Sequence, residues 1–189
     1  MSNQSIRKYW SSKGELLYTY KLSQLDNPRL LKSTIEYLSQ CGFPRQSAPA
    51  LSFDYWDKET IPTPNQVLGI DLEELENYLM IGNNGSGDPI CIDLDLVNQV
   101  VYLNHDNYFE RVFMNGSVSQ LIESIIQYQI FYTSLNPKYE NDVFSKRAFS
   151  DEEFNELKAD FLKIDIYSLN KNSFWDMELE YLLWERENE

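Results

Sequence analysis

Residues 78–107, YLMIGNNGSGDPICIDLDLVNQVVYLNHDN, constrain the fold more than any other part of this chain. They read as three short strands separated by two turns. Tyr78, Leu79, Met80 and Ile81 form an apolar run that Gly82 stops. Residues 90–94 alternate, with Ile90, Ile92 and Leu94 on one face and Cys91 and Asp93 on the other, the period of a half-buried strand. Residues 99–103, QVVYL, are rich in the β-branched and aromatic side chains that suit a pleated surface. Asp95-Leu96-Val97-Asn98 is short enough for a tight antiparallel hairpin. The wider loop GNNGSGDP, residues 82–89, holds glycines and asparagines that tolerate positive φ, and a proline that cannot donate to a ladder. It is not a phosphate cradle. Its last glycine is followed by Asp88 and Pro89 where a P-loop needs Lys and Ser/Thr, and a strand follows where a helix is required.

Helices are expected on both sides of this unit. Asn27 suits an N-cap, Pro28 a first helical position and Gly42 the position just past a C-terminus, with Leu31, Ile35 and Leu38 as the apolar stripe between them. Residues 1–26 read as a lead-in, within which 15–21 could be a strand. Four prolines between 44 and 64 limit that region to short elements, with a strand near 50–55, an exposed turn at Trp56 to Glu59 and a helical turn near 71–76. Arg111 to Met114 suits an edge strand. Val118 to Leu135 reads as a helix packed on the sheet and ended by Asn136-Pro137. Ser150 with Glu153 forms a capping box for the next helix, with Phe154, Leu157, Phe161 and Ile164 on its apolar face. Ser173 opens a last helix with two apolar stripes. One is Phe174, Met177, Tyr181 and Trp184; the other is Trp175, Leu179 and Leu182. Such a helix is either well buried or docks a partner. The expected fold class is α+β: one domain over residues 1–189, with a mostly antiparallel central sheet flanked by N-terminal, middle and C-terminal helices.

Composition bounds the function. Net charge is −14, and it is uneven: residues 1–60 hold eight Lys/Arg and six Asp/Glu, a net of +2, so the remainder carries −16. That field repels nucleic acid and anionic lipid and would steer a basic protein partner, although acidity that serves only solubility gives the same composition. No apolar run approaches 18 residues, so neither a membrane span nor a membrane partner is expected. The first residues carry no apolar signal core, which points to a cytoplasmic protein in which Cys41 and Cys91 are buried thiols.

Catalytic chemistry finds little support. His105 is the only histidine, and Asn104-His105-Asp106 lacks a nucleophile motif, so a structural turn is the reading. One histidine without a cysteine pair gives no zinc set. Asp88, Asp93, Asp95 and Asp106 could face a hard cation, but their spacing is not that of an EF-hand. No GxSxG or HExxH is present. No catalytic residue, cofactor or metal is expected.

CGFP at 41–44, APALSF at 48–53, YLMIGNNGSGDPICIDL at 78–94, VYLNHDN at 101–107 and FMNGSVSQL at 113–121 together resemble the SUKH superfamily. Lys163-Ile164-Asp165 and Ser173-Phe174-Trp175 with Glu178-Leu179 are similar to its C-terminal pattern, so the likeness spans about residues 28–184. The shared positions are turn glycines, core apolar residues and a tryptophan. The resemblance implies a mixed sheet flanked by helices. It implies a bacterial immunity protein that binds and neutralises a cognate polymorphic toxin, often a nuclease or deaminase, or else a regulatory module akin to fungal cell-wall regulators. It carries no common catalytic set. A glycine expected in the 95–98 turn is missing, and Asn98 is left to supply its conformation. On this reading an acidic face masks the active site of a basic toxin. Asp88, Asp93, Asp95, Asp106 and Tyr108 are its expected exposed contacts, with Trp56 as an aromatic anchor.

Overall fold

A computed structural model describes residues 1–56, 58–135 and 149–188. Helix α1 spans Asn3–Ser12 and is followed by strand β1, Leu17–Tyr18. Helix α2 covers Lys32–Gln40, and strands β2 (Phe43–Pro44), β3 (Gln46–Ser47) and β4 (Leu51–Phe53) follow. After the short helix α3, Pro64–Leu68, come β5 (Tyr78–Asn83), β6 (Pro89–Asp93), β7 (Gln99–Asn104) and β8 (Glu110–Asn115). Helices α4 (Val118–Leu135), α5 (Asp151–Ile164) and α6 (Phe174–Asn188) complete the chain. The α+β expectation holds. Strands β3 to β8 form a six-stranded sheet in sequence order, and β1 pairs with β2. Every pairing is antiparallel, where the resemblance implied a mixed sheet.

The alternation in β6 sorts the two faces as expected. Ile90 and Ile92 join Leu79, Ile81, Val100, Tyr102 and Met114 against the main helices. Cys91 joins Met80, Val101, Leu103 and Leu75 in a smaller cluster on the other face, which Val67, Leu72 and Phe109 cover in part. Both faces are therefore closed, and β6 is buried along its whole length rather than half-buried. Both cysteines are buried free thiols. Gly82 answers a steric demand. A Cβ there would stand 2.1 Å from the Ser52 carbonyl oxygen of the neighbouring strand.

Two readings of the N-terminal region are corrected. The 1–26 lead-in contains α1, capped by Ser2, and inserts Ile6 and Trp10 into the main core. Helix α2 begins at Lys32, not Pro28. Asn27 instead accepts a hydrogen bond from the Arg29 amide two residues on, a local turn that holds the chain off the helix. Leu31 is consequently exposed, and Thr34, Tyr37 and Leu38 form the buried face. Gly42 does follow the helix with a left-handed φ of 74°, and a Cβ there would meet the Tyr18 carbonyl at 1.9 Å. The Ser150 capping box and the Val118–Leu135 helix are found as read. The expected stop at Asn136-Pro137 lies outside the described residues.

A buried polar knot joins the sheet to the C-terminal helices. Asn115 at the end of β8 accepts from the Trp175 indole N–H at 2.8 Å and donates to Ser124 Oγ at 3.2 Å. Asp165, after α5, accepts from the Gly116 amide at 2.7 Å. No helix of the described residues is long and apolar enough to cross a membrane.

Trp10→Ala tests whether α1 belongs to the core. Trp10 is 1% exposed, and its indole N–H has no acceptor among the described residues, so the loss is one of packing. Urea unfolding is expected to show a loss of about 3–5 kcal/mol. The same change at Trp184, which lies open on α6, is expected to stay within about 0.5 kcal/mol.

Candidate functional site

The six expected contact residues do not share one surface. Because β6 and β7 run antiparallel with Ile90 opposite Tyr102 and Asp93 opposite Gln99, Asp88 lies beside His105 at one end of the sheet. Asp93 and Asp95 lie at the other end, so the four carboxylates do not converge on one ion.

Asp93 is corrected from an exposed contact to a buried one, 2% exposed. One of its oxygens accepts from the amides of Asp95 and Leu96, and the other accepts from Arg111 Nε at 2.9 Å. This caps the 95–98 hairpin. Val97 and Asn98 adopt φ of 55° and 57°, so Asn98 supplies the left-handed conformation that glycine would otherwise provide. Its amide is spent on Arg29 and Leu31, which ties the hairpin to the start of α2. Asp95 is exposed and pairs with Arg29. Trp56 is corrected too. It is half-buried, packs against both core clusters and donates its indole N–H to the Met80 carbonyl at 2.9 Å.

The other end is built around Asp88, also corrected from exposed to buried at 6% exposure. Asn84 accepts from the Ser86 and Asp88 amides and donates to Asp88 Oδ2 at 2.8 Å, which closes the glycine-rich turn. Asp88 Oδ1 in turn accepts from the His105 backbone amide at 2.9 Å, and His105 Nδ1 lies 2.6 Å from it. The carboxylate thus fastens the β7–β8 connection to the β5–β6 turn. Among the described residues no hydroxyl or thiol is hydrogen-bonded to His105.

What this buttress presents is Tyr108. It is 94% exposed, the most open large apolar side chain of the described residues. Tyr108 and Phe109 both hold left-handed φ, 53° and 59°. Two consecutive side chains there cost about 1–2 kcal/mol each relative to ordinary backbone. Phe109 recovers part of this by packing on the smaller core, whereas Tyr108 recovers nothing from burial. Asp106 and Glu110 stand exposed on either side. Glu110 lay beside the expected set and belongs to this surface. Below it, burial raises the Tyr102 phenol above its usual range, and the carboxylates of Asp88, Glu178 and Glu110 add to the shift. Tyr102 therefore links this end of the sheet to α6.

On α6 the stripe of Trp175, Leu179 and Leu182 is buried together with Phe174. Tyr181 and Trp184 from the other stripe are exposed and stack on each other with ring centres 6.0 Å apart. A cavity of about 500 Å³ lies elsewhere, between β8 and residues 167–173. The Arg111 side chain in its wall is already committed to Asp93 and Gln99.

No family model matches the chain, and neither a curated protein nor a solved structure matches it.

Tyr108 is strained where it gives nothing to stability. Tyr108→Asn places a residue that tolerates the left-handed region at this tip, and chemical denaturation is expected to show a gain of about 0.5–1 kcal/mol. A loss of more than about 1 kcal/mol would place Tyr108 among the residues that hold the fold.

Proposed function

We propose that this chain acts by binding a protein, as an immunity protein that neutralises a basic toxin domain, with the Tyr108 end of the sheet as its contact surface. One observation carries the reading: an almost fully exposed tyrosine holds a costly conformation between Asp106 and Glu110, beside a clasp in which the buried Asp88 carboxylate grips His105. Strain that the fold does not need is characteristic of positions kept for contact. Tyrosine supplies a large, rigid anchor, and the surrounding carboxylates complement a cationic groove. The SUKH resemblance supports the same reading. Its signature segments at 78–94 and 101–107 include the β5–β6 turn and the start of the β7–β8 connection, up to the residue before Tyr108.

On this mechanism the tyrosine enters the partner's active-site groove and the carboxylates oppose its substrate-binding cations. Inhibition then needs no bond made or broken, so no cofactor and no catalytic residue take part. Net charge of −14 makes nucleic acid a poor ligand for the same reason that it makes a nuclease domain a good one. The acting compartment on this reading is the cytoplasm.

The test is growth rescue by co-expression with the toxin domain encoded beside the gene for this chain, together with stopped-flow association of the purified pair. Rescue with a stable complex is expected. Tyr108→Ala should weaken that complex by at least about 2 kcal/mol, some thirtyfold. Raising salt from low to near-molar should slow association by about tenfold or more. An association rate flat in salt would remove the electrostatic part. Absence of both rescue and binding would favour a regulatory scaffold of the same fold. Rescue without a complex would favour an enzyme.

A further inference from the structure

The sequence holds two Asn-Gly pairs, Asn84-Gly85 and Asn115-Gly116. In such a pair the backbone nitrogen after the asparagine can attack the side-chain carbonyl carbon and close a succinimide ring, and glycine, with no Cβ, shields that nitrogen least. The fold treats the two pairs in opposite ways. Asn115 is 0% exposed, and the Gly116 amide is spent on Asp165 at 2.7 Å. Gly85 is exposed on the β5–β6 turn, and its amide donates to no acceptor among the described residues. Asn84 is half-buried, and its carboxamide is held on both sides. Oδ1 accepts from the Ser86 amide at 3.0 Å and from the Asp88 amide at 2.9 Å, while Nδ2 donates to Asp88 Oδ2 at 2.8 Å.

We propose that Asn84 is a self-modifying residue: the folded chain converts it to aspartate and isoaspartate through a succinimide, with water as the only co-reactant. In the first step the Gly85 nitrogen bonds to Asn84 Cγ and gives up its proton to solvent. Negative charge gathers on Oδ1, at which the Ser86 and Asp88 amides already point, the arrangement that stabilises an oxyanion. The Cγ–Nδ2 bond then breaks, and Nδ2 leaves as ammonia after gaining a proton. Asp88 touches that leaving nitrogen with one oxygen and meets His105 Nδ1 at 2.6 Å with the other, so its carboxyl is placed to pass the proton. Water then opens the ring at either carbonyl and leaves aspartate or isoaspartate at position 84. Either product lacks the Nδ2–H donor and sets a second negative charge beside Asp88. The clasp between the β5–β6 turn and His105 weakens as a result. The conversion needs no partner and is independent of the toxin reading.

The test incubates the intact chain, folded and unfolded in guanidinium, at one mildly alkaline pH and one temperature, and follows each asparagine by peptide-mapping mass spectrometry. Asn84 is expected to convert at least about tenfold faster in the folded chain than in the unfolded one. Asn115 is expected to convert in the unfolded chain alone, where both pairs are equally free. In the converted chain the His105 amide, which Asp88 holds, should exchange faster with solvent. Asp88→Asn, with folding checked by circular dichroism, should lose most of the folded-state advantage at Asn84. A folded-state rate at Asn84 equal to or below the unfolded rate would overturn the proposal, because the turn would then protect the amide instead of activating it. That comparison uses the parent chain and decides the matter even if the variant does not fold. Conversion of a folded Asp88→Asn chain at the parent rate would overturn the part given to Asp88.

Discussion

The Asn115 side-chain amide is fully buried where four elements meet, and the arrangement of the C-terminal half depends on it. A buried amide without partners costs several kcal/mol, so the fold must bring partners to it. It does so from distant parts of the chain: Trp175 from the start of α6, Ser124 from α4, and Asp165 from the end of α5. Asp165 also fixes the Gly116 amide, which sets the angle at which the chain leaves β8 to enter α4. With these bonds made, α6 can lie in only one register against the sheet, with Trp175 and Leu179 inward and Tyr181 and Trp184 outward. The outward side chains then face solvent and stack on each other.

Two further buried carboxylates do for the sheet ends what Asn115 does for the helices. Asp93 caps one hairpin and holds Arg111 of β8 across the intervening β7, while Asp88 joins the two connections at the opposite end. Each is satisfied on both oxygens, which is the condition for a carboxylate to remain buried without loss of stability. In a chain with 30 acidic residues these two serve the architecture, and the charge available to a partner comes from others. Asp106 and Glu110, exposed on either side of Tyr108, supply it on the proposed reading.

The central hairpins were legible because a two-residue period and turn-forming residues act locally, and the local signal agrees with the tertiary one. The Ser150 capping box and the long α4 helix were legible for the same reason. Helix α1 was not, since Ile6 and Trp10 are the only two buried residues among its ten and make too thin a stripe to read. Asn27-Pro28 misled because asparagine before proline serves a turn as readily as a helix cap. The exposure of Asp88 and Asp93 was misjudged for a different reason. Their partners, His105 and Arg111, lie 17 and 18 residues away, and only the strand register brings them together. Tyr108 and Asp106 were found as exposed residues because a short polar stretch after a strand has to turn in solvent. The α6 surface was half legible. Two apolar stripes on one helix were visible, but which of them faces the core is decided by Trp175 and its bond to Asn115.

On the proposed reading, the buttressed end of the sheet that carries Tyr108 between Asp106 and Glu110 is the surface that meets the partner. Backbone amide exchange of the chain, alone and saturated with the toxin domain, tests this most directly. Slowed exchange is predicted in residues 84–88 and 104–110, with residues 111–115 and 167–173 unchanged. Protection confined to residues 111–115 and 167–173 would contradict the account, because it would place the partner in the cleft between them and leave Tyr108 without a role.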